Sequence, residues 1–249
     1  MTHQVTPFSL KDAPSLIEYV FPVQRLSIDV YKERMGGSGQ TLTGLGSYWK
    51  GRKPLVLSRA CVLASLLPAT KNLKKDLEIF ELLMGMDDES LRLRLNLKVN
   101  QELPKLPYKN IASKAKRVEE LTDSVHDHIW DRVNQHLGTN ARDFPVLVEQ
   151  LGLMRFGRRP VVSDTFSGSG QIPFAAAQLG CDVIASDINP IACLLTWASF
   201  NIVGADGAKQ LEIAKQQREI SEAVFSEIDR LQIEVDGSGW STKAFLYCI

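Results

Sequence analysis

Residues 160–204 have the sequence PVVSDTFSGSGQIPFAAAQLGCDVIASDINPIACLLTWASFNIVG, and this stretch decides the fold class. Residues 161–164 form a short apolar run that is typical of a buried strand, and residues 181–186 form a second one. Between them, a glycine-containing turn at 165–170 leads into a predicted helix over 171–178. The pattern predicts one strand–helix–strand unit. Its loops lie at the carboxyl ends of the strands, where open α/β sheets bind their ligands.

The turn departs from the glycine loop that binds dinucleotides. The pattern GxGxxG would need a third glycine at position 173, which is occupied by Pro173. That glycine normally allows the helix to approach the strand while the helix N-terminus holds a pyrophosphate. Asp164, just before the turn, would repel a pyrophosphate but suits a ligand that bears an ammonium and a sulfonium group. S-adenosylmethionine is therefore the favoured cofactor.

A second acid follows the second predicted strand. Asp187 lies 19 residues after Gly168, near the spacing at which an acid binds a ribose diol, and we expect Ile188 to lie on the adenine face. Asn189 and Pro190 have the pattern of an N-cap followed by a first helical proline. The predicted cofactor-binding residues of this stretch are Asp164, Phe166, Gly168, Gly170, Asp187, Ile188 and Asn189. The alternatives are an α/β turn that binds nothing and a nucleotide site of another kind.

Composition narrows the class of protein. A chain of 249 residues with 44% hydrophobic residues is long and apolar enough for one large or two modest globular domains. Lys plus Arg and Asp plus Glu both number 29, so any basic face must be local. The four cysteines include no CxxC pair, so we predict neither a zinc site nor a disulfide framework. Without an apolar span or a signal-peptide pattern, we expect a cytoplasmic protein and no membrane contact.

A glycine-rich segment precedes a predicted helix that opens at Lys53 and Pro54. Residues 36–54 form a long predicted loop, and loops of this length are usually functional or disordered. Bases stack on aromatic rings and phosphates pair with cations. The candidate nucleic-acid contacts are therefore Tyr48, Trp49, Lys50 and Arg52. The alternative is a flexible surface loop with a packed Trp49.

The middle of the chain, residues 71–158, is predicted to be mainly helical. It contains a basic run that consists of Lys105, Lys109, Lys114, Lys116 and Arg117. We interpret this run as a solvated helix face, and the alternative is a surface that contacts phosphates. A predicted helix over 122–137 carries His126, His128 and His136, which we interpret as surface groups and not as metal ligands. Farther along, the spacing of apolar residues predicts a long helix over 206–231, and residues 244–249 have the pattern of a strand.

Taken together, these stretches resemble the N-terminal part of a family of large bacterial and archaeal adenine-specific DNA methylases, whose members carry the uncharacterised domain DUF1156 at the front. The matching stretches are LIEYVFP from Leu16, YWKGRKPLVLSRACVLASLL from Tyr48, DTFSGSGQIPFAAAQLGCDVIASDINPIA from Asp164 and the closing KAFLYCI. The resemblance implies an α/β fold: an incomplete Rossmann-like sheet of S-adenosylmethionine-dependent methyltransferases, with a mainly helical N-terminal and inserted region.

The resemblance also implies roles for residues outside the glycine turn. Related methyltransferases place a Lys-Pro-Leu helix beside the cofactor, which implies cofactor contact by Lys53 and Pro54. The implied regions are a DUF1156-like segment over 1–70, a helical insertion over 71–158, and a partial methyltransferase core over 159–249. The implied reaction transfers the methyl group from the sulfonium to the amine of a flipped adenine in double-stranded DNA.

The catalytic motif of this family, (D/N/S)PP(Y/F/W), is absent, because no two of the eleven prolines are adjacent. In the family it follows the point at which this chain stops, as does the zinc ribbon that some members carry. We therefore predict no catalytic residue here and a chain that is inactive alone, being truncated, the product of a split gene or a degenerate remnant. A downstream subunit would carry the catalytic half. The alternatives are a non-catalytic DNA- or partner-binding subunit of a phage-defence system, and a methyltransferase that acts on RNA or protein.

Overall fold

The computed structural model describes residues 10–35, 51–98, 101–121, 124–232, 235 and 237–240. Its α-helices are, in chain order, α1 (Leu16–Tyr19), α2 (Val23–Met35), α3 (Leu55–Leu66), α4 (Leu73–Leu83), α5 (Asp88–Arg94), α6 (Tyr108–Ala112), α7 (Trp130–Leu137), α8 (Phe144–Phe156), α9 (Gln171–Gln178), α10 (Pro190–Ala198) and α11 (Gly207–Leu231). Two strands, β1 (Val161–Asp164) and β2 (Asp182–Ala185), form a parallel pair with Val161 opposite Asp182. The described part of the chain is thus mostly helical with a small parallel sheet, an α/β mixture.

The chain divides into two compact units, Met1–Ser199 and Phe200–Ile249. In the first unit the larger of two hydrophobic clusters collects side chains from α1 to the start of β2, among them Leu63, Phe80, Leu151 and Ala176. All three regions suggested by the sequence contribute to this core. The division of the sequence into those regions stays a prediction.

Helix α3 is the central element of the first unit. Its sequence, LVLSRACVLASL, is apolar around most of its circumference, which is typical of a helix that is buried on all sides. It contacts α1, α2, α8 and α9. Through α9, the strand–helix–strand unit is joined to the helical N-terminal region.

The strand–helix–strand unit forms where the sequence predicts it. Helix α9 contacts both β1 and β2, so it covers one face of the sheet. The ladder extends beyond the strands, since Asp182 N donates to Pro160 O at 2.9 Å and Ser186 N donates to Asp164 O at 2.9 Å. The predicted strand over 161–164 and the predicted helix over 171–178 are both confirmed.

Helix predictions elsewhere are confirmed in part. The long helix is present as α11, and Asp206 caps it by accepting from Lys209 N at 2.8 Å. The helix expected over 122–137 is shorter, because α7 begins only at Trp130. His126 lies before this helix, and its ring is buried edge-on against Phe144. Residues 36–50 of the predicted loop and the predicted strand over 244–249 lie outside the described residues.

The basic run is only partly a solvated surface. Its four lysines are exposed, as predicted. The prediction is wrong for Arg117, which is buried and donates from Nε to Glu120 Oε1 at 2.8 Å. Helix α6 contains only Lys109 of the run, because it begins after Pro107 and ends at Ala112.

No single helix among the described residues is both long and apolar enough to cross a membrane. In the described part of the chain, the two helices Pro190–Val203 and Gly207–Leu231, which are bent by 116° relative to each other, reach the required length and hydropathy when they are taken together.

Candidate functional site

The loops that follow β1 and β2 are held together by the Asp187 carboxylate. Gly168 N donates to Asp187 Oδ2 at 2.8 Å, and Asn189 N donates to Asp187 Oδ1 at 2.9 Å. Ser167 N donates to Ser186 O at 3.0 Å beside this bridge. The acid and the glycine loop that the sequence singles out are therefore direct neighbours at the carboxyl ends of the strands.

The same hydrogen bonds set the charge of Asp187. Backbone donation from Asn189 and then from Gly168 lowers the pKa of the Asp187 carboxyl, so this group is ionised at neutral pH. An ionised carboxylate has about four lone-pair sites, and the two backbone donors occupy only part of them. The partly exposed carboxylate of Asp187 thus keeps the capacity to accept hydroxyl groups from a ligand.

Glycine is required at position 170 for two reasons. Gly168 and Gly170 both lie in the left-handed region, at φ values of 52° and 78°. A Cβ at Gly170 would also lie 2.9 Å from Thr196 Oγ1 and 3.1 Å from Thr196 Cα. The loop therefore lies directly against α10.

Thr196 is a loop-positioning residue that sequence reasoning missed. Its buried hydroxyl donates to Gly168 O at 3.3 Å and shares a hydrogen bond of 3.3 Å with Ser167 Oγ. The available signal was a hydroxyl within the otherwise apolar helix PIACLLTWA. A buried polar side chain needs a partner, and here the partner is a carbonyl of the glycine loop.

The glycine loop is surrounded by acidic side chains and by exposed apolar side chains. Asp164 Oδ1 accepts from Phe166 N at 3.1 Å, so the carboxylate is fixed beside the turn. Phe166 and Ile188, one from each loop, are 83% and 95% exposed. The side-chain oxygen Oε1 of Gln171, in the first turn of α9, is buried without a hydrogen-bond partner among the described residues. Such a set suits a ligand with a cationic part, hydroxyl groups and a planar apolar part.

Residues 20–83 match DUF1156. The description of this family model is "Protein of unknown function (DUF1156)", and the match covers about a quarter of the chain. The DUF1156 segment begins directly after α1 and ends at Leu83, the last residue of α4. It contains Lys53 and Pro54 but not the glycine loop. No curated protein and no solved structure matches the chain.

Within the DUF1156 segment, the N-terminus of α3 is capped by a side chain from α2. The N-cap residue of α3 is Pro54, which has no side-chain acceptor. The buried Glu33 carboxylate serves instead, accepting from Leu55 N at 2.8 Å and from Val56 N at 3.2 Å. Burial raises the pKa of Glu33, and these two hydrogen bonds act against that shift. Sequence reasoning missed this cap, which no local pattern indicates.

Replacing Glu33 with alanine is expected to lower the free energy of unfolding by about 1–3 kcal/mol, because two buried backbone N–H groups lose their acceptor. Urea denaturation followed by circular dichroism measures the change. The matched control is Arg34→Ala, since Arg34 is the next residue of α2 and is exposed. Equal stabilities of the two variants would contradict a capping role for Glu33.

Lys53 and Pro54, just before α3, make no direct polar contact with the glycine loop among the described residues. The connection between the two regions runs through the packing of α3 on α9. Cofactor contact by Lys53 and Pro54 stays a prediction.

The candidate nucleic-acid residues are mostly outside the described part of the chain. Tyr48, Trp49 and Lys50 fall in the gap before residue 51, and Arg52 is described and partly exposed. Their role stays a prediction.

The histidines are engaged in separate contacts. His128 Nε2 lies 3.0 Å from Asp87 Oδ1, and His136 Nε2 lies 2.7 Å from Asp76 Oδ1. The interpretation of His126 as a surface group is wrong, because its ring is buried. Within the described ranges, no group of three or more His, Cys, Asp or Glu side chains is arranged to hold a metal ion.

Proposed function

We propose that this chain is the S-adenosylmethionine-binding part of a DNA adenine N6-methyltransferase with a Rossmann-like core. The observation that carries the cofactor assignment is the ionised Asp187 carboxylate, hydrogen-bonded to Gly168 at the carboxyl ends of two parallel strands. Open α/β sheets bind ligands at this edge, and an acid at the end of the second strand is the usual partner of a ribose diol. The DNA substrate is inferred from the sequence resemblance.

The side chains around the loop fit the chemical groups of S-adenosylmethionine. Asp187 would accept the ribose hydroxyls, and Asp164 would attract the ammonium of the methionine part. Phe166 and Ile188 are exposed apolar side chains that a planar adenine would cover. The unpartnered oxygen of Gln171 adds a buried acceptor beside the same loop. The cofactor, when bound, supplies an activated methyl group.

Methyl transfer also needs a group that presents the acceptor, and the sequence contains no Pro-Pro motif for a flipped base. We therefore propose that a further subunit or segment carries the catalytic half. The family resemblance makes double-stranded DNA the proposed substrate of the complete enzyme. We also propose that the protein is cytoplasmic. The second candidate is a non-catalytic DNA- or partner-binding subunit of a phage-defence system that keeps the cofactor pocket. The missing motif is the observation that favours it.

Titration calorimetry with S-adenosylmethionine tests the cofactor assignment. We expect the wild-type chain to release or absorb heat, and Asp187→Ala to lose measurable binding. Asp182→Ala is the matched control, because Asp182 is an exposed acid on β2. Since Asp187 also holds the loop, Ile188→Ala is the second variant. Its side chain is almost fully exposed, so reduced affinity there reports ligand contact and not lost packing. Absence of heat, or wild-type affinity in both variants, would overturn the assignment.

A methyl-transfer assay separates the two candidate functions. With a labelled methyl donor and duplex DNA, we expect no transfer by this chain alone. Transfer that appears when the missing catalytic half is supplied would favour the methyltransferase. Turnover by the isolated chain would contradict our interpretation of the missing motif.

A further inference from the structure

A groove of about 870 Å³ lies between α2 and α6, in the first unit and apart from the glycine loop. We call it the α2–α6 groove. Its walls include Arg25, Ile28, Tyr31 and Lys32 from α2, and Tyr108 and Lys109 from α6. The volume is within the range of sites that hold small molecules, which are usually apolar clefts with a few placed polar groups.

The side chains that line the groove are positively charged or neutral. They include three cations, Arg25, Lys32 and Lys109, and no carboxylate. Hydrogen bonds hold the side chains of Arg25 and Lys32 in place. Arg25 Nη1 donates to Glu81 Oε2 at 2.6 Å, and Lys32 Nζ donates to Ala112 O at 3.1 Å. Lys109 is exposed, and its ammonium has no hydrogen-bond or ion-pair partner among the described residues. Lys109 is therefore the cation that is available to an anion.

Two tyrosine rings supply flat apolar surface in the same groove. Tyr31 is 64% exposed among the described residues, so its ring offers flat apolar surface to a ligand. The guanidinium of Arg25 lies 4.6 Å from the centroid of the Tyr108 ring, which makes a planar cationic stack. Burial raises the pKa of Tyr108 to about 12, so its hydroxyl stays neutral.

We propose that the α2–α6 groove binds a nucleotide, with the base against Tyr31 and the Arg25–Tyr108 stack and the phosphate at Lys109. Every base has a flat π-face that stacks on aromatic and guanidinium surfaces, and its phosphate is attracted by an open ammonium. The cationic lining disfavours a sulfonium ligand, so the groove and the glycine loop select different molecules. The nucleotide has two sources with the same chemistry, a free mononucleotide or one unit of single-stranded DNA. The proposal does not depend on the cofactor assignment.

Fluorescence anisotropy with a labelled single-stranded oligodeoxythymidylate tests the groove without S-adenosylmethionine. We expect Tyr31→Ala and Lys109→Ala each to weaken binding about tenfold, the effect of losing one stacked base or one phosphate contact. Lys109→Ala should also reduce the dependence of affinity on salt. The matched controls are Tyr19→Ala, at a tyrosine of α1 that is 62% exposed, and Lys74→Ala, at an exposed lysine of α4. Both should bind as the wild type does.

Competition distinguishes the two sources. Displacement of the labelled strand by unlabelled thymidine monophosphate would identify the mononucleotide as a sufficient ligand, whereas displacement by unlabelled strand alone would identify single-stranded DNA. Either result supports the groove if the two groove variants are weakened. No binding by the wild-type chain, or groove variants that bind as tightly as the controls, would overturn the proposal. In the latter case the strand would be held elsewhere, for example by Tyr48, Trp49 and Lys50.

Discussion

Replacing Arg94 with alanine is expected to lower the free energy of unfolding of the first unit by about 3–5 kcal/mol. The guanidinium is fully buried, and Nη2 donates to Asp29 Oδ1 at 2.6 Å. Nε donates to Lys116 O at 2.7 Å, and Nη1 donates to Gly85 O at 2.9 Å. Without Arg94, two carbonyl groups lose their donor, and the nearest remaining cation to the buried Asp29 is Lys32, at 3.8 Å. Urea denaturation measures the change.

The matched control is Arg92→Ala, because Arg92 lies on the same helix, is partly exposed and donates to Lys98 O at 3.3 Å. We expect that variant to lose no more than about 1 kcal/mol. Combining Arg94→Met with Asp29→Ala should cost less than the sum of the two single changes, because no unpaired buried charge then remains. Equal stabilities of Arg94→Ala and Arg92→Ala would contradict the structural role of Arg94.

Protonation of His126 is expected to remove about 3 kcal/mol of stability as the solution is acidified. Burial and, after it, the nearby Arg59 guanidinium lower the pKa of His126 from 6.5 to about 4, against the opposing effects of a backbone hydrogen bond with Leu83 and of Asp87. Its Nε2 is buried and has no hydrogen-bond partner among the described residues. The fold therefore favours the neutral imidazole.

The sign of the pH dependence follows from the direction of this shift. Because the folded pKa is lowered, the contribution of His126 is complete above pH 6.5 and is lost as the pH falls through about 4. An NMR titration of the imidazole should give the lowered pKa directly. In urea denaturation, His126→Gln should remove this part of the acid sensitivity. His136→Gln, at a histidine paired with Asp76, should leave it in place. A His126 pKa near 6.5 would contradict the prediction.

The strand–helix–strand unit could be predicted from sequence because its signals are local. Apolar runs bounded by glycine gave both strands and α9, and Asn189 with Pro190 marked the start of α10, where Asn189 Oδ1 accepts from Ile191 N at 2.9 Å. The pairing of Asp187 with the glycine loop also follows from spacing, since parallel strands bring their carboxyl ends to one edge. Whether these residues bind a cofactor is a matter for the calorimetric test.

Contacts between distant positions could not be predicted in the same way. Glu33 caps a helix that begins 22 residues later, and Arg94 pairs with Asp29 across 65 residues of sequence. The local sequence around each of these charged side chains equally fits an exposed position on a helix surface, and it does not indicate the distant residue that the side chain contacts. His126 illustrates the same limit: Ser124, Asp127 and His128 around it are polar, but packing against Phe144 buries its ring.

The sequence by itself determined α9, the long helix α11, the two strands and the candidate cofactor loop, because each depends on residues that are close in the chain and on backbone preferences such as those of glycine and proline. The tertiary structure decided which charges are buried, that Thr196 supports the loop, and that α2 and α6 enclose a groove lined by tyrosines and cations. These features depend on how the helices pack, and packing is settled by the combined burial of apolar surface from the whole unit.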